Sequence, residues 1–480
     1  MISRARIVAP WVAALVLAAA GIAAVFPFTV DDAFIPCRYA ENLAGGRGFA
    51  FNPGDRVEGV TGLAWTLLLA NARMLGVRDL PLVAKLLGVL FALATVFVTV
   101  RGAGRSAGGR WGSLGVAGIL ATSLSFAAYA VAGLETALFT LTVTAATLAT
   151  CRGHDRSAGL LFGFAVWVRP EAVVALAAAC AARPRHALRI GLFAAPLVAA
   201  LVAVKLALFG SVLPATFFAR LAPRGAGREY LLGAMIPTGL APLIVLGLVA
   251  VVRGGRRERV LGLVSIAMLL SVVLVGGDWM PGWRFLVPAW PLLAMLAVRG
   301  ALRLRLALPG SLAGRLIGPS VLGAAIVLGG LTFLATAPDA RASARDRARG
   351  GEALVRALRR ADTIALVDVG WVGWRTRARI VDLAGLTDLR IARARGEYLD
   401  KEVSESYLRS LDPDAIVLHA AQRPRVTDGR IEMLEGAYPV EERVASFPFV
   451  RNGYRAAEVV RYSDSYWYVV LRRDRSAGPP

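Results

Sequence analysis

The chain has 480 residues, of which 56% are hydrophobic and only 18% charged. Soluble domains carry about 25% charged residues, so this apolar surplus excludes an ordinary soluble protein and requires a lipid solvent. The formal net charge is +22, but the arginines sit in short loops between apolar runs and form no basic stripe interleaved with aromatics, which excludes nucleic acid as a partner. Cys37, Cys151 and Cys180, like His154, His186 and His419, are scattered without metal-ligand spacing, which argues against a Cys/His zinc site.

The first apolar run, 8–29, follows Arg4 and Arg6. It is long enough to span a bilayer and no small-residue cleavage site follows it, so it reads as an uncleaved helix with a cytoplasmic N-terminus. The acidic pair Asp31-Asp32 opens a polar loop, 31–61, folded back by turns at Gly45-Gly46, Gly48 and Asn52-Pro53-Gly54. Segment 61–76 is apolar but short. Further spans are predicted at 82–100, 112–131, 134–150, 188–209, 235–252, 259–276, 284–299 and 315–336, while 157–182 is interrupted by Arg169-Pro170-Glu171. Beyond Pro338 the apolar runs shrink to strand length. Residues 363–369, 380–383, 414–419 and 466–471 read as strands, 351–360 and 401–411 as amphipathic helices, 340–350 as a helix start or linker, and 474–480 as a frayed end.

Five short loops are rich in arginine: 101–110, 151–156, 183–189, 253–259 and 299–315. Placing all five in the cytoplasm requires that 61–76 lies at the outer interface without crossing. It also requires that 157–182 enters and returns, as a hairpin or as two half-helices meeting at Arg169-Pro170. The outcome is a polytopic α-helical membrane protein of about ten or eleven transmembrane helices. Residues 1–337 form the membrane part, including a first outer loop at 31–80, and 338–480 a small extracytoplasmic α/β domain. Five polar segments then share the outer side: 31–61, 133–135, 169–171, 213–220 and 276–285. Ionisable groups at membrane depth are costly and mark function by default.

Asp31 and Asp32 fit two readings. A carboxylate at a low-dielectric boundary has its pKa raised towards general-base work, while an aspartate after a helix also serves as a cap for the next one. Arg38, Asn42 and Glu58 are further polar groups of the same loop. Arg169, Arg220 and Arg284 can grip phosphate oxygens with a two-pronged guanidinium or snorkel to the interface. Glu135 and Asp278 can position hydroxyl groups or a divalent cation, Mg²⁺ or Mn²⁺, since such ions favour carboxylates with phosphate oxygens. Trp279 and Trp283 suit ring stacking or interfacial anchoring, and Trp290 reads as an anchor. Asp368, Gly370, Asp382 and Gly385 read as turns at strand ends.

Six ordered segments carry a resemblance: DDAFIPCRYAENLAGGRGFAFNPGDRVEG (31–59), GLETALF (133–139), VRPEA (168–172), LPATFFAR (213–220), GGDWMPGWRFLVPAWPLLA (276–294) and DVGWVGWRTRARIVDLAGLTDLRIA (368–392). With them the chain resembles the glycosyltransferase C superfold, and within it the actinobacterial terminal arabinofuranosyltransferases and related membrane enzymes that use polyprenyl-phosphate sugars. The resemblance implies a bacterial inner-membrane, inverting glycosyltransferase with its site facing outward. Its general base would be Asp31 or Asp32, with Asp31 slightly favoured. It implies Arg169, Arg220 and Arg284 at the donor phosphate, and Arg38, Asn42, Glu58, Glu135, Asp278 and Trp279 at the substrates. The partners would be a polyprenyl-phosphate sugar donor, a glycan or lipid acceptor and the bilayer. Pro36-Cys37, Ala215 and Arg220 depart from the common pattern, where relatives tend to show small or aromatic polar residues, asparagine and lysine; a cation survives at 220. The competing reading is a non-enzymatic transporter or flippase of a lipid-linked glycan, but transporters usually show repeats and midplane sites, and neither is visible here.

Overall fold

The computed structural model describes residues 2–104, 110–220, 225–307, 311–464 and 466–474. Parts of the arginine-rich loops (105–109 and 308–310) and the chain end at 475–480 lie outside the described residues. The chain divides into two compact units. One comprises Met1–Phe28, Leu82–Val204 and Pro223–Arg341; the other comprises Thr29–Pro81, Lys205–Ala222 and Ala342–Pro480.

The first unit is helical. Among the described residues, five helices are long and apolar enough to cross a membrane: Leu80–Ala103, Pro184–Phe209, Arg256–Val275, Arg284–Ala307 and Arg315–Ala357. A sixth span results if Trp111–Thr122 and Leu124–Val131, bent by 64°, count as one. The bend falls where Ser123 leaves the helical region and its side chain caps the second helix by accepting the Phe126 N–H. Shorter apolar helices, including Val12–Ala24, Ala172–Ala182 and Leu240–Val252, complete the set.

The interruption at 169–171 is a true break between Asp155–Val168 and Ala172–Ala182, with Arg169 extended at φ −153° and ψ 134°. Pro170 explains it, because proline crowds the preceding residue out of the helical region. Trp290 is 1% exposed. It is a core residue and not an interfacial anchor, because the helix Trp290–Ala307 is buried along its first three turns.

The described parts of the five arginine-rich loops meet at one end of this unit. Arg257 donates to the Gly102 carbonyl (2.6 Å) and Arg183 to that of Thr150 (3.1 Å), Cys151 Sγ reaches the Arg257 carbonyl, and His186 pairs with Asp155 at 2.8 Å. Arg299 and Arg303 close the set by pairing with Glu258. The helix Thr136–Arg152 carries Glu135 at its other end, about 25 Å away at 1.5 Å per residue.

The second unit contains a five-stranded sheet. The strands of the unit are β1 (Thr363–Leu366), β2 (Arg379–Asp382), β3 (Ala415–Ala420), β4 (Arg425–Thr427), β5 (Arg430–Met433), β6 (Tyr454–Ser463) and β7 (Tyr466–Arg473), of which β4 and β5 lie outside this sheet. The order is β2-β1-β3-β7-β6, with β2, β1 and β3 parallel and β7 and β6 antiparallel, while β4 and β5 pair separately. Parallel neighbours need crossovers, here the helices Val369–Arg375 and Glu405–Leu411. Strand β3 is buried throughout, and Leu408, Val440 and Val444 pack on the core with Ile416, Leu418 and Val469. The β4–β5 hairpin was missed in the sequence although Asp428-Gly429, both at positive φ, is a turn signal for it. Segment 61–76 becomes the 12-residue helix Leu63–Met74, about 18 Å long and too short to span.

Candidate active site

Asp31 and Asp32 begin a single 3-10 turn, Asp31–Ala33. The Asp31 carboxylate accepts the Gly370 N–H on Oδ2 at 2.7 Å and the Trp371 N–H on Oδ1 at 2.8 Å. A side chain on residue 370 would collide with the Asp31 carbonyl and carboxylate, and one on residue 373 with Phe51 and Arg38. The GxxG spacing of DVGWVGWR therefore clears a path for the acidic loop. Gly370 is not the turn glycine expected; it lies in the first helical turn, outside the positive-φ glycines. Burial and the Asp368 carboxylate, then Asp32, raise the Asp31 pKa to about 7, against the Trp371 N–H and Arg347. Asp32 turns to Arg220, with Oδ2 2.5 Å from Nη2, and the Arg220 guanidinium stands over the Tyr398 ring at 5.7 Å.

Beside Asp31 lies a chain of charged groups that runs from the half-buried Asp368 to the buried His419 and Glu441. Asp368 Oδ2 accepts from His419 Nε2 (2.9 Å), Tyr466 (3.0 Å) and Tyr468 (2.7 Å). His419 Nδ1 is 2.5 Å from Glu441 Oε1, and Glu441 Oε2 accepts the Tyr438 N–H. Burial alone would lower the His419 pKa, but Asp368 and Glu441 outweigh it and lift it to about 10. Burial alone would raise Asp368, yet the His419 charge and the tyrosine hydroxyls hold it down at about 2.

Other predicted residues of this unit are engaged with protein groups. Arg38 donates to the Phe51, Gly373 and Ala378 carbonyls and to Asn52 Oδ1; Asn42 donates to the Ala50 and Phe51 carbonyls; Glu58 pairs with Lys205 at 2.8 Å, all buried. The Asp382 carboxylate accepts the N–H groups of Ala384, Gly385 and Thr387 and the Thr387 hydroxyl, organising a turn that abuts Gly59. Lys401, fully buried, holds the Phe218 carbonyl at 3.1 Å, two residues before Arg220.

Within the helical unit, the break at Arg169 brings a second constellation together. Arg169 pairs with Glu135 (3.0 Å) and Glu171 (2.8 Å), and Arg284 pairs with Asp278 (2.8 Å). The Phe285 ring lies between the guanidiniums, 4.9 Å from that of Arg169 and 4.8 Å from that of Arg284. A half-open cavity is lined by Thr136, Phe139, Arg169, Glu171, Met268, Val272, Arg284, Phe285 and Pro288. Thr136 Oγ1, on its wall, has no hydrogen-bond partner among the described residues. Trp279 is 48% exposed and contributes no hydrogen bond there. Among the described residues no group of three or more His, Cys, Asp or Glu side chains is disposed to hold a metal ion, because each acid in the cavity is paired with a guanidinium.

Sequence reasoning missed His419, Glu441 and Lys401, and read Asp368 only as a turn. The signal for His419 was a titratable residue inside an otherwise apolar strand, AIVLHA, where burial demands a partner.

Comparisons with known proteins agree with this architecture. Residues 339–471 match a family model described as a domain of unknown function, DUF8728. The chain aligns over its full length with ArnT from Cupriavidus metallidurans in the apo state, with a TM-score of 0.56 at 14% identity covering 100% of both chains. The same protein bound to undecaprenyl phosphate gives 0.55 at 13% identity over 99% of both. The archaeal oligosaccharyltransferase AglB from Archaeoglobus fulgidus, in complex with an inhibitory peptide and a dolichol-phosphate, gives 0.50 at 11% identity over 85% of this chain and 69% of that one. The fold is therefore that of the glycosyltransferase C superfold, a multi-pass membrane architecture with a small sheet domain. In sequence the chain is similar to a terminal β-(1→2)-arabinofuranosyltransferase of Corynebacterium glutamicum, 29% identical over 324 residues, or 56% of this chain. The match spans about half that relative's length, 47%.

Proposed function

We propose that the chain is a glycosyltransferase that moves a sugar from a polyprenyl-phosphate donor to a cell-envelope glycan or lipid acceptor on the outer face of the bacterial inner membrane. The observation that carries this reading is the Asp31 carboxylate, oriented by two backbone N–H groups and raised to about 7, where a general base is most effective. The likeness to an arabinofuranosyltransferase and to polyprenyl-phosphate-bound structures supports the donor class.

Asp31 takes the proton of the acceptor hydroxyl as its oxygen bonds to the anomeric carbon. The bond from that carbon to the phosphate oxygen breaks, and the polyprenyl phosphate leaves with the electron pair. A single displacement inverts the anomeric centre. In the unit that carries Asp31, Arg220, oriented by Asp32, is assigned to the phosphate, whose developing charge its guanidinium stabilises. Taken by itself, the helical unit offers Arg169 and Arg284 beside an apolar cavity, a pair suited to phosphate oxygens and isoprene units.

The test is transfer of labelled sugar from synthetic polyprenyl-phosphate pentofuranose and hexose donors to glycan acceptors by the protein in vesicles. Asp31→Asn/Asp32→Asn should make no product while keeping its elution profile and Tm. Full activity in that variant would overturn the reading.

A further inference from the structure

We propose that Asp368 is an acceptor-binding residue, its Oδ1 taking the hydrogen bond of a sugar hydroxyl, and that His419 and Glu441 are positioning residues that hold it for that task. The proposal rests on the transferase reading only for calling the bound glycan the acceptor.

Asp368 stands at the N-cap position of the helix Val369–Arg375 but makes no side-chain cap. Its carboxylate turns instead to His419, Tyr466 and Tyr468, and all three donors converge on Oδ2. Oδ1 has no hydrogen-bond partner among the described residues, and the side chain is 26% exposed. The donor side is unusually complete. Glu441, fully buried, is bound to His419 Nδ1 and to the Tyr438 N–H, so the imidazolium has one orientation.

The chemistry of the opening selects its ligand. A permanently ionised carboxylate with one oxygen open repels phosphate and binds hydroxyl donors. The charge of His419 keeps it ionised while Asp31 titrates. Tyr466 and Tyr462, both partly exposed and with rings 5.5 Å apart, stand beside it. Such side chains offer an apolar face with a polar tip, the surface a sugar ring packs on. A neutral, hydroxyl-rich glycan terminus fits; an anionic headgroup does not.

The experiment is saturation-transfer NMR on the full chain in nanodiscs, with synthetic arabinofuranosyl, galactofuranosyl and mannosyl trisaccharides as probes. At least one probe should bind, and Asp368→Asn should weaken it about tenfold or more. His419→Gln and Glu441→Gln should weaken it less. In turnover, Asp368→Asn should raise the acceptor KM and leave the donor KM unchanged, a split that general misfolding would not produce. If Asp368→Asn does not fold, Tyr466→Phe/Tyr468→Phe removes two of the three donors and should still weaken the probe. Binding of none of the probes, or unchanged binding in these variants, overturns the proposal. Glycan binding that depends on Asp368 in a protein that transfers no sugar would instead sink the transferase reading and leave the site standing.

Discussion

Arg220 Nη2 lies 2.5 Å from Asp32 Oδ2, an ion pair that closes 188 residues of chain onto the acidic turn. Asp32 is thereby engaged with a cation while its neighbour Asp31 is held by backbone N–H groups, which assigns the two acids different surroundings. If the pair acts as one element at the donor, Asp32→Asn and Arg220→Gln should not be additive. A double-mutant cycle on donor kcat/KM should give a coupling of about 0.5–3 kcal/mol. Additive losses would show that the pair is incidental.

The base assignment predicts an acid limb in the pH profile of kcat/KM. Asp31 must be ionised to accept a proton, so activity should fall below about pH 7. Asp368→Asn and Asp32→Asn each remove a nearby negative charge and should move the limb to lower pH. Arg347→Gln removes a nearby positive charge and should move it to higher pH. A limb that stays in place in all three variants would rule out Asp31 as the titrating group.

His419 predicts an alkaline loss of stability. Its pKa is raised from an ordinary 6.5 to about 10 in the folded protein. The stabilisation is therefore complete below 6.5 and disappears as pH rises to about 10. Melting curves should show the native protein losing Tm across this window, with His419→Gln starting lower and changing less. Parallel curves for the two proteins would contradict the charged imidazole.

Gly370→Ala and Gly373→Ala place a methyl group against Asp31 and against Phe51 and Arg38 respectively. Each should cost about 1–3 kcal/mol by overpacking. Only the first is expected to abolish transfer out of proportion to stability, since it displaces the Asp31 carboxylate. Denaturant titration alongside the transfer assay separates the two effects.

Arg169 sits between two carboxylates, Glu135 and Glu171, with side chains 8% and 19% exposed. Arg169→Ala leaves both acids uncompensated and should cost about 3–5 kcal/mol. Adding Glu135→Gln and Glu171→Gln should restore folding without restoring donor affinity. Arg169→Lys keeps the charge but loses the planar fork, so donor KM should rise while Tm changes little. Recovery of full donor affinity in the triple variant would remove Arg169 from the phosphate.

Much of the fold was legible in the chain because its causes are local. Apolar runs announced the helices, Pro170 announced the break at Arg169, and short apolar segments announced β1, β2, β3 and β7. The acidic pair and the arginine-rich loops were equally visible, and the contacts among Gly102, Cys151, Arg183, Arg257 and Arg303 bring the described parts of those loops to one end.

Partners were not legible. Which groups meet the Asp31 carboxylate was decided 339 and 340 residues further on, at Gly370 and Trp371. That Arg38 and Asn42 staple their own loop, that Trp290 is core, and that His419 and Glu441 hold Asp368 also came only from tertiary packing. Hydropathy and backbone restriction act over a few residues and leave a mark in the sequence. Burial, hydrogen-bond pairing and the pKa shifts that follow from them depend on what the folded chain carries in from far away, so residue type alone names a candidate and packing decides its role.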